Sequence, residues 1–129
     1  MKRMIHSDKA PQAIGPYSQA IKAGGLLYVS GQLPIDPVSG VIMGDCVKTQ
    51  TEQVLQNIKL ILEATDDALN DVVKSTVFLS DMNNFSEMNT VYGTFFQEPY
   101  PARAAFAVKS LPKNALVEIE IVAYKQGDE

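Results

Sequence analysis

Residues 116–123 limit the possible folds of this chain more than any other segment, because apolar and acidic side chains alternate along them. The apolar positions are Val117, Ile119, Ile121 and Ala123. Glu118 and Glu120 lie between them. Successive side chains of a β-strand point to opposite faces of a sheet, so the pattern predicts a strand with one buried face and one polar face.

A second strand is predicted just before this one. Pro99 and Pro101 end any preceding helix and stiffen the chain, and an apolar run at residues 104–108 follows Arg103. The turn at residues 111–115 indicates that this run and the alternating strand pair as a hairpin. Such a pairing would bring the Arg103 guanidinium close to the two glutamates on one sheet.

Two amphipathic helices and three further strands are predicted in the rest of the chain. The first helix covers residues 46–65, with Asp45 as its cap and an apolar stripe at helical spacing. The second follows Asp81 or Asn83 and ends before Pro99. The strands cover residues 18–23, 26–32 and 72–79. The resulting order, ββαβαββ, predicts an α+β fold with both helices on one face of the sheet.

The composition is that of one globular domain, residues 1–129. The net charge of −4 argues against a nucleic-acid partner. Cys46 is the sole cysteine, which rules out an internal disulfide and fits a reducing cytoplasm. His6 is the sole histidine, so no metal site or Ser-His-Asp triad is predicted. No segment has the length of a membrane span. We expect a cytoplasmic protein without a membrane partner.

The face of the predicted sheet that lies opposite the helices mixes apolar and polar side chains. It is too apolar to lie in water and too polar for a dry core. Its predicted members are Leu26, Tyr28, Ser30, Thr76, Phe78 and Glu118. Burying an unpaired carboxylate there would cost roughly several kcal/mol. We therefore predict a small symmetric homo-oligomer whose subunits cover this face and form sites at their boundaries.

Arg103 and Glu118 are the candidate chemical groups. A guanidinium offers two parallel N–H donors to a small carboxylate, although Arg103 could equally be a surface residue paired with a nearby acid. Glu118 could act as a general base or hold a water, or it could simply be solvated on its strand. Glu120 shares its face, and spacing alone does not separate the two glutamates.

Three further candidates lie nearer the N-terminus. Tyr17 and Ser30 could donate hydrogen bonds to a ligand, or they could pin the N-terminal loop and satisfy backbone groups. Gly31 would let a ligand approach the main chain closely, or it could mark a bulge.

Four ordered motifs resemble the Rid family of reactive-intermediate deaminases, also called the YjgF family. They are Ile14-Gly15-Pro16-Tyr17-Ser18-Gln19-Ala20, Val29-Ser30-Gly31-Gln32, Pro101-Ala102-Arg103 and Val117-Glu118-Ile119-Glu120-Ile121. The resemblance covers nearly the whole chain. It implies a chorismate-mutase-like α+β fold with one mixed sheet, and a homotrimer with clefts between subunits. It also implies hydrolysis of 2-iminobutanoate or 2-iminopropanoate to a 2-keto acid and ammonia, with no cofactor.

The resemblance implies roles for individual residues as well. Arg103 matches the arginine that binds the substrate carboxylate, and Glu118 matches the glutamate that positions the attacking water. Other groups near the ligand are matched by Tyr17, Ser30, the Gly31 backbone N–H and Asn89. Many deaminases of the family carry a cysteine where this chain has Ala105. The main-chain carbonyl at that position helps to hold the water, and alanine keeps that carbonyl.

Other functions stay open at this point. The same pocket could bind a 2-keto acid without turnover, as a regulatory module. An endoribonuclease activity is ascribed to some family members, but the acidic charge and the lack of a catalytic histidine oppose it. The sequence does not address a chaperone-like role.

Overall fold

A six-stranded sheet with two α-helices on one face forms the computed structural model, which describes residues 1–126. The strands are β1 (Lys2–Ile5), β2 (Ala20–Ala23), β3 (Leu26–Gln32), β4 (Val72–Leu79), β5 (Ala102–Ala107) and β6 (Val117–Tyr124). The helices are α1 (Val47–Glu63) and α2 (Phe85–Phe95). Across the sheet the strand order is β1-β2-β3-β6-β4-β5, and within this described range only β4 and β5 pair in parallel.

The predicted α+β class, with one mixed sheet and both helices on one face, is confirmed, but the predicted order ββαβαββ lacked one strand. β1 pairs with β2 in antiparallel, with Ile5 opposite Ala20. Lys2, Arg3 and Met4 are exposed and Ile5 is buried. This short strand therefore has no apolar alternation by which a sequence pattern could reveal it.

The predicted hairpin between the last two strands is wrong, because β4 lies between β5 and β6. Helix α2 carries the chain from the end of β4 back to the start of β5, and this crossover places the two strands side by side in parallel. β6 then pairs with the other side of β4 and with β3. The strand with the alternating apolar side chains thus lies inside the sheet, and β5 forms an open edge.

Helix α1 buries the apolar stripe that was predicted for it. The buried stripe comprises Val47, Thr51, Val54, Leu55, Ile58, Ile61 and Leu62. These side chains pack over β3 and β6, and burial of each aliphatic side chain contributes about 1.5–3 kcal/mol. The predicted cap is wrong by one residue. Cys46, with an extended backbone at φ −122° and ψ 154°, takes the N-cap position instead of Asp45.

Helix α2 is shorter and is entered through a 3-10 turn. Asp81 caps this turn, since its carboxylate accepts a hydrogen bond from the Asn83 N–H at 2.9 Å. Asn84 takes the N-cap position of α2 itself. The helix ends at Phe95, before Pro99 as predicted. Neither helix within residues 1–126 is both long and apolar enough to cross a membrane.

The sheet face opposite the helices, called the open face below, has no covering layer among the described residues 1–126. Tyr28 is 47% exposed on it and Phe106 is 44% exposed. Phe106 pairs with Phe78 across the β4–β5 boundary, with ring centroids 5.5 Å apart. The predicted mixture of apolar and polar side chains on this face is confirmed.

Candidate functional site

Arg103 projects from the edge strand β5 onto helix α2. Its Nη1 donates a hydrogen bond to Asn89 Oδ1 at 2.8 Å. The guanidinium carbon lies 4.7 Å from the centroid of the Tyr92 ring and 5.5 Å from that of Phe85. Helical spacing explains the grouping, because Phe85, Asn89 and Tyr92 lie on one face of α2. An amide oxygen and two aromatic faces thus hold the cation.

The alternative of a surface arginine paired with an acid has no support within residues 1–126, where no carboxylate forms an ion pair with Arg103. A guanidinium has five N–H donors, and Asn89 takes one of them. Arg103 lines an open cleft together with Tyr100 and Pro101. The remaining donors are available to an anion that enters this cleft.

Tyr92 lines the same cleft and is 4% exposed. Its hydroxyl shares a hydrogen bond of 2.7 Å with Oγ of Ser75, a fully buried residue of β4. Burial raises the pKa of the Tyr92 phenol, and the Ser75 hydrogen bond and the Arg103 charge oppose that rise. No sequence motif singled out Tyr92 as a site residue. Its position three residues after Asn89 is the signal that it also belongs to the site.

Glu118 projects from β6 onto the open face, where it lies beside Gly31 of β3. A Cβ atom on Gly31 would overlap the Glu118 carboxylate, so a side chain at this position would displace that carboxylate. The β3–β6 register also shifts between Val29 and Gln32, in agreement with the predicted alternative of a local irregularity. Glycine is needed here because the carboxylate approaches the main chain closely.

The electrostatics separate Glu118 from Glu120, which sequence spacing could not do. Partial burial raises the pKa of the Glu118 carboxyl, and the negative charge of Glu120 raises it further. Glu120 itself is exposed. Within residues 1–126 no group donates a hydrogen bond to the Glu118 carboxylate. A half-buried carboxylate of this kind is suited to accept a proton.

Tyr17, Ser30 and Gly31 line one pocket with Glu118. Ser30 Oγ donates to the Ser18 carbonyl at 2.6 Å, so its proton satisfies a backbone group and its oxygen can still accept. Tyr17 is 52% exposed, and its hydroxyl accepts a hydrogen bond from the Ile14 N–H at 3.5 Å. The phenolic proton of Tyr17 is therefore free to be donated to a ligand.

Two buried amides hold the loops around this pocket, and the sequence analysis missed both. Gln19, 2% exposed, accepts from the Ser7 N–H at 2.7 Å and donates to the Pro11 carbonyl at 2.7 Å. Asn57, fully buried in α1, donates to the carbonyls of Leu33 and Ile35 at 3.1 and 2.9 Å. A polar residue in the apolar stripe of a helix, such as Asn57, was the available signal.

Ala105 lies two residues after Arg103 on β5. The Val108 N–H donates to the Leu79 carbonyl at 2.8 Å, and this bond sets the phase of the parallel ladder between β4 and β5. Alternate residues of an edge strand direct their N–H and C=O groups away from the neighbouring strand. The backbone groups of Arg103 and Ala105 therefore point toward the open edge, where a water or ligand can reach the Ala105 carbonyl.

Arg103 and Glu118 lie on opposite faces of the sheet. Arg103 contacts α2, whereas Glu118 alternates with Val117 and Ile119, which are buried against the helices. We call Arg103 with Asn89 and Tyr92 the arginine half-site, and Glu118 with Tyr17, Ser30 and Gly31 the glutamate half-site. The fold of one chain brings the members of each half-site together but does not bring the half-sites together.

Metal-ligating side chains form no cluster of three within residues 1–126. The sole histidine, His6, lies just after β1 and its Nε2 is 2.8 Å from Asp8 Oδ1. Neither half-site contains a histidine or a cysteine. The groups available for chemistry are a guanidinium, a carboxylate, hydroxyls, an amide and the main chain.

Residues 7–125 match the family described as endoribonuclease L-PSP. The chain belongs to this family. It is the Rid, or YjgF, family that the sequence motifs resemble, so the predicted family is confirmed.

Relatives of this Rid protein align along nearly all of it. A RutC family protein of Pyrococcus horikoshii is 56% identical over 126 residues, covering 98% of this chain and 100% of the relative. A 2-iminobutanoate/2-iminopropanoate deaminase of Mus musculus is 46% identical over 123 residues, covering 95% and 91%. A solved Rid family structure from Yersinia pestis has a TM-score of 0.94 at 44% identity, covering 97% and 100%. These likenesses establish the fold and the family.

Proposed function

We propose that this Rid protein hydrolyses short 2-imino acids, such as 2-iminobutanoate and 2-iminopropanoate, to 2-keto acids and ammonia. The observation that carries the proposal is the division of the chain's polar groups into an arginine half-site, whose guanidinium is oriented by Asn89 and Tyr92, and a glutamate half-site with a half-buried carboxylate. The name of the mouse relative is that of this activity, and that relative aligns with 95% of the chain.

In this proposal the two half-sites come from different subunits of a homotrimer. An arginine half-site on one face and a glutamate half-site on the other can meet only across a boundary between copies. Contacts between two different surfaces of identical chains close into a ring when the rotation allows it. The exposed side chains of Tyr28 and Phe106 on the open face supply apolar area for that boundary. The number of subunits, three, comes from the Rid resemblance.

Arg103 binds the substrate carboxylate. The guanidinium is already oriented by Asn89 and by the Tyr92 and Phe85 rings before a ligand arrives. Two parallel N–H donors match the two oxygens of a carboxylate, and such a charge-assisted contact contributes about 1.5–3 kcal/mol. Fixing the acid in this way places the adjacent iminium carbon at a set position relative to the facing subunit.

Glu118 and the Ala105 carbonyl orient the attacking water. The water oxygen bonds to the iminium carbon while one of its protons passes to Glu118. The resulting carbinolamine takes that proton at nitrogen, and the C–N bond breaks with its electron pair leaving on ammonia. The hydroxyl proton of the carbinolamine passes to Glu118 as the carbonyl forms and is then released to solvent, so iminium and water give keto acid, ammonia and one proton. The sequence of steps uses no cofactor.

The pH dependence of the reaction tests the role given to Glu118. The carboxylate accepts a proton only when ionised, so kcat/KM is expected to fall as the pH drops through the Glu118 pKa. Because partial burial and the Glu120 charge raise that pKa, the fall should occur above the ordinary glutamate value of about 4.3. Glu120→Gln removes the second cause and should move the fall to lower pH. The check is a pH–rate profile for both proteins, corrected for uncatalysed hydrolysis.

The activity itself is tested by coupling a threonine dehydratase to this protein with semicarbazide as a trap for free imine. Wild type is expected to consume imine before the trap does. Arg103→Ala should lower the rate of imine consumption by about 10- to 100-fold, which is the effect of losing one charge-assisted contact. Arg103→Lys should not restore it, because an ammonium lacks the planar pair of donors.

Arg3→Ala is the matched control, because Arg3 is the other arginine of the chain and is exposed on β1. It should behave as wild type. If wild type leaves the trapped imine unchanged while 2-ketobutyrate still binds through Arg103, the protein is a carboxylate-binding module and the deaminase proposal is wrong.

A cytoplasmic location belongs to this proposal, since the free and exposed Cys46 fits a reducing compartment. The endoribonuclease reading has less support. The net charge of −4 disfavours a polyanionic substrate, and neither half-site offers a histidine. Cleavage of RNA that survives purification and disappears in Glu118→Gln would favour that reading over ours.

A further inference from the structure

We propose that Tyr92, held by Ser75, is a positioning residue that fixes the Arg103 guanidinium for carboxylate binding. The inference rests on the proposed role of Arg103 and concerns how the core of the subunit controls it. In this inference Tyr92 and Ser75 act through Arg103, because the two hydroxyls are bonded to each other and the Arg103 guanidinium rests on the Tyr92 ring.

The polar pair lies where packing alone would need no polar groups. Ser75 is fully buried and Tyr92 is 4% exposed, and their hydroxyls meet at 2.7 Å between β4 and α2. Replacing both partners of such a pair by apolar groups of similar shape is close to neutral for stability. Alanine and phenylalanine would therefore fill the same space, and the hydroxyl pair must be explained by something other than core packing.

The register of the sheet connects this pair to the arginine. Ser75 lies directly opposite Arg103 in the β4–β5 ladder. Its bond to the Tyr92 hydroxyl fixes one end of the ring on which the Arg103 guanidinium rests at 4.7 Å. Phe96 packs on the same ring with centroids 4.5 Å apart. The Tyr92 ring is thus held at its hydroxyl by Ser75, with Phe96 and Arg103 packed on it.

Positioning matters because Arg103 is exposed on an edge strand. A long side chain there would sample several rotamers, and binding a carboxylate would have to order it. The tilt of the Tyr92 ring, together with the Asn89 bond at 2.8 Å, leaves the guanidinium in one orientation before the ligand arrives. Loss of the Ser75–Tyr92 bond frees the ring and with it the cation.

The test separates carboxylate affinity from stability. Tyr92→Phe and Ser75→Ala should each raise the Kd for 2-ketobutyrate and the KM for imine by about three- to tenfold, the effect of one hydrogen bond, with little change in kcat. Ser75→Ala should also lower Tm, because it leaves the Tyr92 hydroxyl buried without a partner. The double variant Ser75→Ala/Tyr92→Phe should regain the wild-type Tm but keep the raised Kd and KM.

Ile58→Val is the matched control. It creates a small cavity in the core beneath α1, so it should lower Tm without changing KM. If Tyr92→Phe changes neither Kd nor KM by more than about twofold, the pair serves packing and the inference is overturned. Crystal structures of wild type and Tyr92→Phe keep the test independent of the proposed function. A guanidinium that leaves the ring and Asn89 in the variant supports the inference even if wild type binds no keto acid, and an unmoved guanidinium contradicts it.

Discussion

Mixing Arg103→Ala subunits with Glu118→Gln subunits is expected to give more imine hydrolysis than either variant shows alone. Each variant keeps the half-site that the other lacks, and the two half-sites lie on opposite faces of one sheet. Glu118→Gln alone should lower kcat by about 10²- to 10⁴-fold. Random assembly of equal amounts makes about one quarter of the boundaries native on both sides, so activity should return to about a quarter of wild type.

The measurement refolds the two variants together from denaturant and compares the product with each variant refolded alone. A second mixture sharpens it. In it, wild type is refolded with an equal amount of the double variant Arg103→Ala/Glu118→Gln. The activity per total subunit should be about one quarter of the wild-type value if each site spans two chains, but about one half if each chain holds a whole site. Mass spectrometry confirms that mixed assemblies form. Mixed assemblies without activity would show that the half-sites do not act together across subunits.

Gly31→Ala is expected to remove most of the deaminase activity while leaving the protein folded. The added Cβ would overlap the Glu118 carboxylate, and the carboxylate is the mobile end of a flexible side chain. The carboxylate should therefore swing away, with a change in the free energy of unfolding within about 1 kcal/mol. A displaced base orients water poorly, so kcat should fall by about 10²-fold.

The double variant Gly31→Ala/Glu118→Gln tests the cause of that loss. If the alanine acts only by displacing the carboxylate, combining the two changes should lower kcat no further than Glu118→Gln alone. The readouts are kcat from the trapping assay and the free energy of unfolding from urea titration. Additive losses would mean that Gly31 serves catalysis in another way, such as through its backbone N–H.

The sequence predicted the two helices and five of the six strands, because these elements carry local signals. The alternation at Val117, Ile119 and Ile121 gave the buried face of β6, and the stripe from Val47 to Leu62 gave the buried face of α1. Such patterns depend on residues a few positions apart. β1 was missed because its exposed residues carry no such pattern.

The neighbours of each strand could not be read in this way. The short turn before β6 predicted a hairpin with β5, but the crossover through α2 gave β5 the outer side of β4. The order and register of the strands are properties of the whole fold. They place the Arg103 and Glu118 side chains on opposite faces of the sheet. The sequence could name both residues from their chemistry and from motifs, but it could not assign them to opposite faces.

The same limit applies to the groups that support the site. Arg103 was a candidate, but its contact with the Tyr92 ring depends on the docking of α2 against β5. The raised pKa of Glu118 depends on burial, which alternation alone does not give. Asn57 and Gln19 act through loops distant from them in sequence. Contacts of this kind follow from tertiary structure and leave little trace in local spacing.

The open edge of β5 makes an unassembled subunit vulnerable to aggregation. Residues Ala102–Ala107 carry small or aromatic side chains around a single arginine, with no proline or lysine to discourage another strand from adding. The outward-facing backbone that offers the Ala105 carbonyl to a water is also a template for a strand of any other chain. Newly made subunits would then either assemble with other copies of this chain or aggregate irreversibly. The ratio of the two outcomes would depend on the subunit concentration.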